Sequence, residues 1–574
     1  MSVWKIDSVD SLIFLSFLLI NLIIGLYSAR GIKTLKEYAV GDGNFSSIVI
    51  AATLVATWIS GSFFLNTLSE VYSNGLYHLW AKSGNVIFFF IIAYIFAPRM
   101  AEFIGNLSIA EAMGNLYGNN VRIVTAIVSC IGAGGFIAAQ LNVAGMLIEY
   151  GLGIQSFYGV FIAGAIIGIY SALGGIKSVT FTDVIQLITF GTVIPILAFV
   201  VFQSLASTDL LIDTLSRNDL FNYKEVFDFS QLKSFNFLLL FLYFCSPSFS
   251  PAIFQRVAMA KDTLQLKKSF LIAGGACLFI SGTICFIGLF LLSKNSNLDA
   301  IELLPYILSN YTYIGVKGLI VAGIMSMVMS TADSFINSTS VILIHDFLKP
   351  LTSKSKFISN ELLSTKISSV FITLLALTIA LIGDKNLLKL IISTQSIYIP
   401  MVSVPFVLAV FGFRTSGKSV LIAMFFALIS VLVLKFMNYD SIQIMFLAVI
   451  ISFFFLFSSH YFLKQPGGWV GIKDPSPLFR LKEERKQAKN KFIQDVRNFN
   501  LIDFLKKNTS DREYMYIILS FFSFIIVYSM IFTLPKDLAI SYESIIRIVY
   551  PTMTFTITAL LSYPLWPRFM KNSN

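Results

Sequence analysis

The residues with the clearest chemical content lie in one apolar stretch, Met325-Ser326-Met327-Val328-Met329-Ser330-Thr331-Ala332-Asp333-Ser334-Phe335-Ile336-Asn337-Ser338-Thr339-Ser340. Adjacent hydroxyls at Ser330 and Thr331 can offer two neutral oxygens, and an alkali cation takes about five or six hard oxygens. The rest would come from carbonyls freed where a partner helix is interrupted. A membrane hydroxyl is also commonly satisfied by the preceding turn's carbonyl, so the run gains meaning only beside such a break. Asp333 is expensive against lipid and must face protein or water.

Other reactive side chains are sparse. Cys130, Cys245, Cys277 and Cys285 stand in apolar segments without a CxxC pair and read as small buried hydrophobes. His78, His345 and His460 fall near predicted helix ends with no partner at ligand spacing. The expectation is no catalytic constellation, no transition metal and no cofactor.

The surrounding chain explains how such residues must be held. Of 574 residues, 56% are apolar, 15% aromatic and only 13% charged, against roughly 25% charged in a soluble domain. A water-soluble enzyme, a disordered chain and a nucleic-acid binder are excluded as classes. Windows of about 20 apolar residues place spans near 11–29, 45–72, 82–98, 123–148, 157–173, 179–203, 234–255, 269–293, 314–345, 364–383, 390–412, 419–437, 441–463, 515–534 and 545–566. The expectation is an all-α polytopic protein of about fifteen transmembrane helices.

Charge orients it. Arg30, Lys33 and Lys36 follow the first apolar stretch, so that stretch reads as an uncleaved span with its N-terminus outside. Alternating the loops puts 30 Lys/Arg on the inner side and 12 on the outer; without residues 464–513 the bias is still 18 to 12. The net charge of +11 is therefore a topology signal, and the C-terminus falls in the cytoplasm.

Two spans contain breaks, which lipid tolerates only where backbone lines a cavity or is buried in protein. The second carries Ala56-Thr57-Trp58-Ile59-Ser60-Gly61-Ser62, and the seventh Ser246-Pro247-Ser248-Phe249-Ser250-Pro251. Their separation suits two copies of a five-helix unit, spans 2–6 and 7–11, each opening on a discontinuous helix. Ordinary packing kinks are the competing reading.

The stretch Tyr170-Ser171-Ala172-Leu173-Gly174-Gly175-Ile176-Lys177-Ser178-Val179-Thr180-Phe181-Thr182-Asp183-Val184-Ile185-Gln186 resembles the GG…TD..Q motif of the sodium:solute symporter family. Tyr38-Ala39-Val40-Gly41, Phe254-Gln255-Arg256-Val257 and Ser330-Thr331-Ala332-Asp333-Ser334 are similar to family patterns in the same order, within residues 1 to about 465. The resemblance implies a LeuT-type inverted repeat and sodium-driven uptake. By position it assigns sodium to the carbonyls of Ala56, Ile59 and Met327 and the hydroxyls of Ser330 and Thr331. It places Asp183 on the sodium exit route; capping its helix or satisfying Lys177 is the alternative.

For the solute, the resemblance points to Trp58, Ser60, Gly61, Phe63, Phe249 and Ser250. Ala56-Thr57-Trp58 with Glu70-Val71-Tyr72 looks most like the choline branch, in which a Trp faces the ammonium by cation–π attraction; simple packing against a neighbouring helix is the other reading of Trp58. The second cage Trp of that branch falls on Ser250 beside Phe249. The proline branch has Asp at the place of Trp58, and a sugar would find few hydrogen-bond partners. The expected solute is an amino acid, a betaine or a choline-like compound.

The expected organisation is a first span and loop (1–44), a transporter core (45–412), spans 12 and 13 (413–463), a basic cytoplasmic loop (464–513), and an extra helix pair with a short tail (514–574). The loop's Lys482, Arg485, Lys486, Lys489 and Lys491 suit an anionic membrane surface, with a plain solvated linker as the competing reading. Some family members are fused to sensor kinases, so the C-terminal region is a candidate for a cytoplasmic signalling partner, and a sensor without turnover is the alternative function. The expected location is the cell (inner) membrane, with sodium, a small organic solute and lipid as partners.

Overall fold

The computed structural model describes residues 8–477 except 29–31, 42, 44, 205–207, 313, 353–359 and 384–385, together with Glu483 and Lys486. The chain divides into two units, Met1–Leu478 and Phe479–Asn574. The expected spans 14 and 15, the cytoplasmic tail and most of the basic loop lie outside the described residues.

Among the described residues, ten helices are long and apolar enough to cross a membrane, and the bent pair Ser47–Trp58 and Gly61–Asn74 makes an eleventh. The helix Ser156–Gln203 runs for 48 residues, which at 1.5 Å per residue is about 72 Å, more than twice a bilayer core. Gly175 divides it: its φ of 57° leaves the helical region, and a Cβ there would meet the Tyr38 ring at 2.7 Å. Residues 156–174 and 176–203 thus fill the places expected for spans 5 and 6. Leu232–Cys245 and Pro251–Ala258 flank the seventh span's interruption. Helices therefore occupy all thirteen positions expected before residue 464. Three boundaries move by six residues: the third span, Leu76–Arg99, starts before the expected 82 because His78 and Lys82 dilute its apolar window, the eighth starts at Thr263 rather than 269, and the ninth runs on to Leu351 rather than 345.

The ninth span, Val316–Leu351, is 94% buried over its apolar window, whereas Ser8–Ser28 and Ser441–Phe462 are 28% buried. A central helix can carry a polar face that a lipid-facing one cannot, which accounts for the Ser/Thr/Asn run. Spans 4 (Asn119–Leu152) and 11 (Leu387–Val410) pack through small residues. A Cβ on Gly132 would lie 3.0 Å from Tyr398, and one on Gly135 would collide with Thr394. The Gln395 amide adds a bond to the Gly132 carbonyl at 3.2 Å.

Candidate ion and solute site

The second span breaks where expected, with a 57° bend between its halves. Ser60 caps the second half, accepting from the Phe63 N–H at 2.9 Å. Gly61 is there for space: a Cβ would collide with Val328 of the ninth span. Gln140 of span 4 holds the new helix start, accepting from the Ser62 N–H at 3.2 Å and donating to its hydroxyl at 2.7 Å.

The end of the first half meets the hydroxyl run. Ser330 donates to the Ala56 carbonyl at 2.8 Å and to the Met327 carbonyl at 3.1 Å. Thr331 donates to the Thr57 carbonyl at 3.1 Å. Ile59 is the first non-helical residue after Trp58, with ψ at 85°. Ala56, Met327 and Ser330 are thus drawn into direct contact, with Thr331 one residue along and Ile59 at the break itself.

Asp183 is fully buried and is paired with Arg256, not with Lys177: Arg256 Nη2 lies 3.2 Å from its Oδ2, and both side chains are 0% exposed. Thr53 donates to the same carboxylate and Arg256 also reaches the Ser334 hydroxyl. Nearby, Tyr170 donates to Asp333 at 2.8 Å, so that carboxylate faces protein. Gln255 donates to the Ala39 carbonyl and, at 2.8 Å, to Asn337. Tyr38 donates to the Ser171 carbonyl at 3.3 Å. All four motifs noted in the sequence therefore meet in one buried network.

The expected solute residues do not form a single cage. Trp58 is half-buried and stacks on Phe88 (centroids 4.4 Å apart, planes at 19°), with Phe89 edge-on at 5.3 Å. Its indole Nε1 has no hydrogen-bond partner among the described residues. Phe249 adopts φ 45° in the second break and is buried among Phe96 and Phe406, each 5.3 Å away. Tyr398 donates to its carbonyl at 2.8 Å and Ser403 to that of Ser248. Ser250 is buried at the N-cap of Pro251–Ala258 without a side-chain capping bond. Phe63 instead faces a cation, with the Lys82 Nζ 3.7 Å from its ring centre.

Lys82, Gln140 and Arg256 were not among the expected site residues. Arg256 and Gln140 are polar interruptions of apolar stretches, a signal that marks buried function but names no partner. Lys82 looked like a span boundary.

A helical, polytopic assembly in which two interrupted helices meet a central polar helix defines a membrane carrier fold. The chain belongs to the sodium:solute symporter family, whose model matches residues 38–427. The sodium-coupled monocarboxylate transporter 1 of Mus musculus is 26% identical over 370 residues, and the match spans 59% of each chain. The sodium/proline symporter 2 of Staphylococcus saprophyticus is 24% identical over 65% of this chain and 75% of its own. A high-affinity choline transporter 1 of Caenorhabditis elegans is 26% identical over 30% of this chain and 31% of its own. Among solved structures, a substrate-bound outward-open Na+-coupled sialic acid symporter superposes with a TM-score of 0.70 at 16% identity, covering 80% of this chain and 98% of that one. That likeness establishes the shared fold.

Proposed function

We propose that this protein is a secondary active symporter that couples inward sodium flow to import of a small organic solute by alternating access, without covalent chemistry. The observation that carries the proposal is the clasp of Ser330 and Thr331 on the carbonyls of Ala56 and Thr57. A hydroxyl proton bridging to a carbonyl keeps two oxygens together. When a cation enters, the two hydroxyls turn their lone pairs inward and, with the Ala56 and Met327 carbonyls, become ligands. Ala56, Ile59, Met327, Ser330 and Thr331 form the proposed sodium set, matching the hard-oxygen preference of the ion. Because the set joins spans 2 and 9, sodium favours the joined state, and by linkage tightens any solute that prefers it.

In this reading the protein lies in the cell (inner) membrane, N-terminus outside and C-terminus cytoplasmic. The solute is an amino acid, betaine or choline-like compound held near Trp58, Ser60, Gly61 and Phe63, with Phe249 and Ser250 forming the second break. Support comes from the position of Ser60, Gly61 and Phe63 at the first break and from relatives whose names include proline and choline carriers. Uptake into proteoliposomes tests it, with a sodium gradient compared against potassium. Solute counterflow identifies a carrier; saturable binding without exchange in either ion would instead identify a sensor.

A further inference from the structure

Lys82 is 5% exposed, and among the described residues no carboxylate lies within 4.0 Å of its ammonium. Its setting is aromatic: Nζ is 3.7 Å from the Phe63 ring centre and 4.9 Å from that of Phe244. Phe63 follows the first break by two residues of helix and Phe244 precedes the second, so the ammonium is held between the two interrupted helices. The third span is pressed there by Gly84, where a Cβ would meet the Phe241 carbonyl at 2.7 Å. The nearest acidic residue along the Phe63 helix, Glu70, accepts from Asn74 at 2.9 Å and stands 4.0 Å from His78; it acts on the Lys82 ammonium across space, without an ion pair in contact.

Aromatic faces steady a cation but do not replace its lost hydration, and a buried charge with no counter-ion in direct contact is disfavoured. The missing partner is an anion, and in a carrier the place between broken helices is where cargo enters. We infer that Lys82 is the recognition point for a carboxylate on the solute. This rests on the symporter reading and narrows it: amino acids, betaines and simple monocarboxylates qualify, whereas choline is repelled by the same ammonium. Phe63 and Phe244 act as positioning residues for the ammonium.

The test uses the purified full chain. Pyruvate, proline, glycine betaine, choline and the methyl esters of pyruvate and proline are offered with and without sodium, in thermal-shift binding and in sodium-driven proteoliposome uptake. The expected result is that at least one carboxylate stabilises the protein and enters, while its ester and choline do neither. Lys82→Met should cut affinity for that carboxylate at least tenfold and leave the sodium-induced thermal shift in place; Lys82→Arg should keep part of the affinity. Met removes a buried charge without changing bulk greatly, so the intact sodium shift serves as the folding control. A carboxylate that binds in a Lys82-dependent way without sodium-driven uptake upholds the inference and strikes the symporter reading alone. Choline or ester uptake equal to that of the acids, unchanged acid affinity in Lys82→Met, or no response to any carboxylate would overturn it. So would a stability loss in Lys82→Met that Glu70→Gln reverses, since Glu70 would then be the ammonium's partner.

Discussion

Arg256 and Asp183, 73 residues apart, form an ion pair with no exposed surface on either side chain, Nη2 to Oδ2 at 3.2 Å. Removing one member of such a pair strands the other in a low-dielectric interior. Asp183→Asn and Arg256→Gln should therefore each lower stability by about 3–5 kcal/mol, and the double variant should recover much of the loss. Thermal unfolding of the four proteins of the cycle measures this. Additive losses would show that the two charges act separately. If Asp183 also serves the departing ion, uptake in Asp183→Glu exceeds that in Asp183→Asn at equal protein level.

The hydroxyl clasp gives a second expectation. Ser330→Ala and Thr331→Ala should each raise the sodium concentration for half-maximal uptake, by a factor corresponding to about 1–3 kcal/mol for one lost oxygen partner. Protein abundance in the membrane should not change. Identical sodium dependence in both variants would place the ion elsewhere.

Trp58 supplies a third. Its ring is committed to Phe88 and Phe89, so Trp58→Leu should lower the unfolding temperature more than Trp58→Phe while leaving the order of solute preference intact. A Leu variant of normal stability with altered preference would return the ring to the solute cavity.

Gly61 supplies a fourth. Gly61→Ala drives a methyl into Val328 Cγ2, an overpacking that costs about 1–3 kcal/mol. Val328→Ala in the same chain should restore much of the lost uptake. No rescue would mean that the break itself, rather than the contact, requires glycine.

Local breaker chemistry made both interruptions legible, because Ser60-Gly61 and Pro247 to Pro251 declare themselves without knowledge of any neighbour. The Ser330-Thr331 run was legible for the same reason: its polarity contradicts its apolar surroundings. Partnerships across the chain were not. Lys177 stands six residues from Asp183, but Asp183 pairs with Arg256 from another span. Phe249 entered beside Trp58 only through the resemblance to the choline branch; with its left-handed φ of 45° its ring lies among Phe96 and Phe406. Lys82 was hidden by its own charge, since a hydropathy window ends a span at the residue that this fold buries.

The seam between spans 4 and 11 reaches further than its size suggests. Gln140 on one side grips the first break through Ser62, and Tyr398 on the other grips the second through Phe249. The two helices fit together at Gly132 and Gly135. Both interruptions are thus fastened to a single jaw, so one wedge inserted there disturbs two hinges at once. A side chain larger than hydrogen at Gly132 would press first on Tyr398, and through it on the second break, while displacing the helix that holds the first.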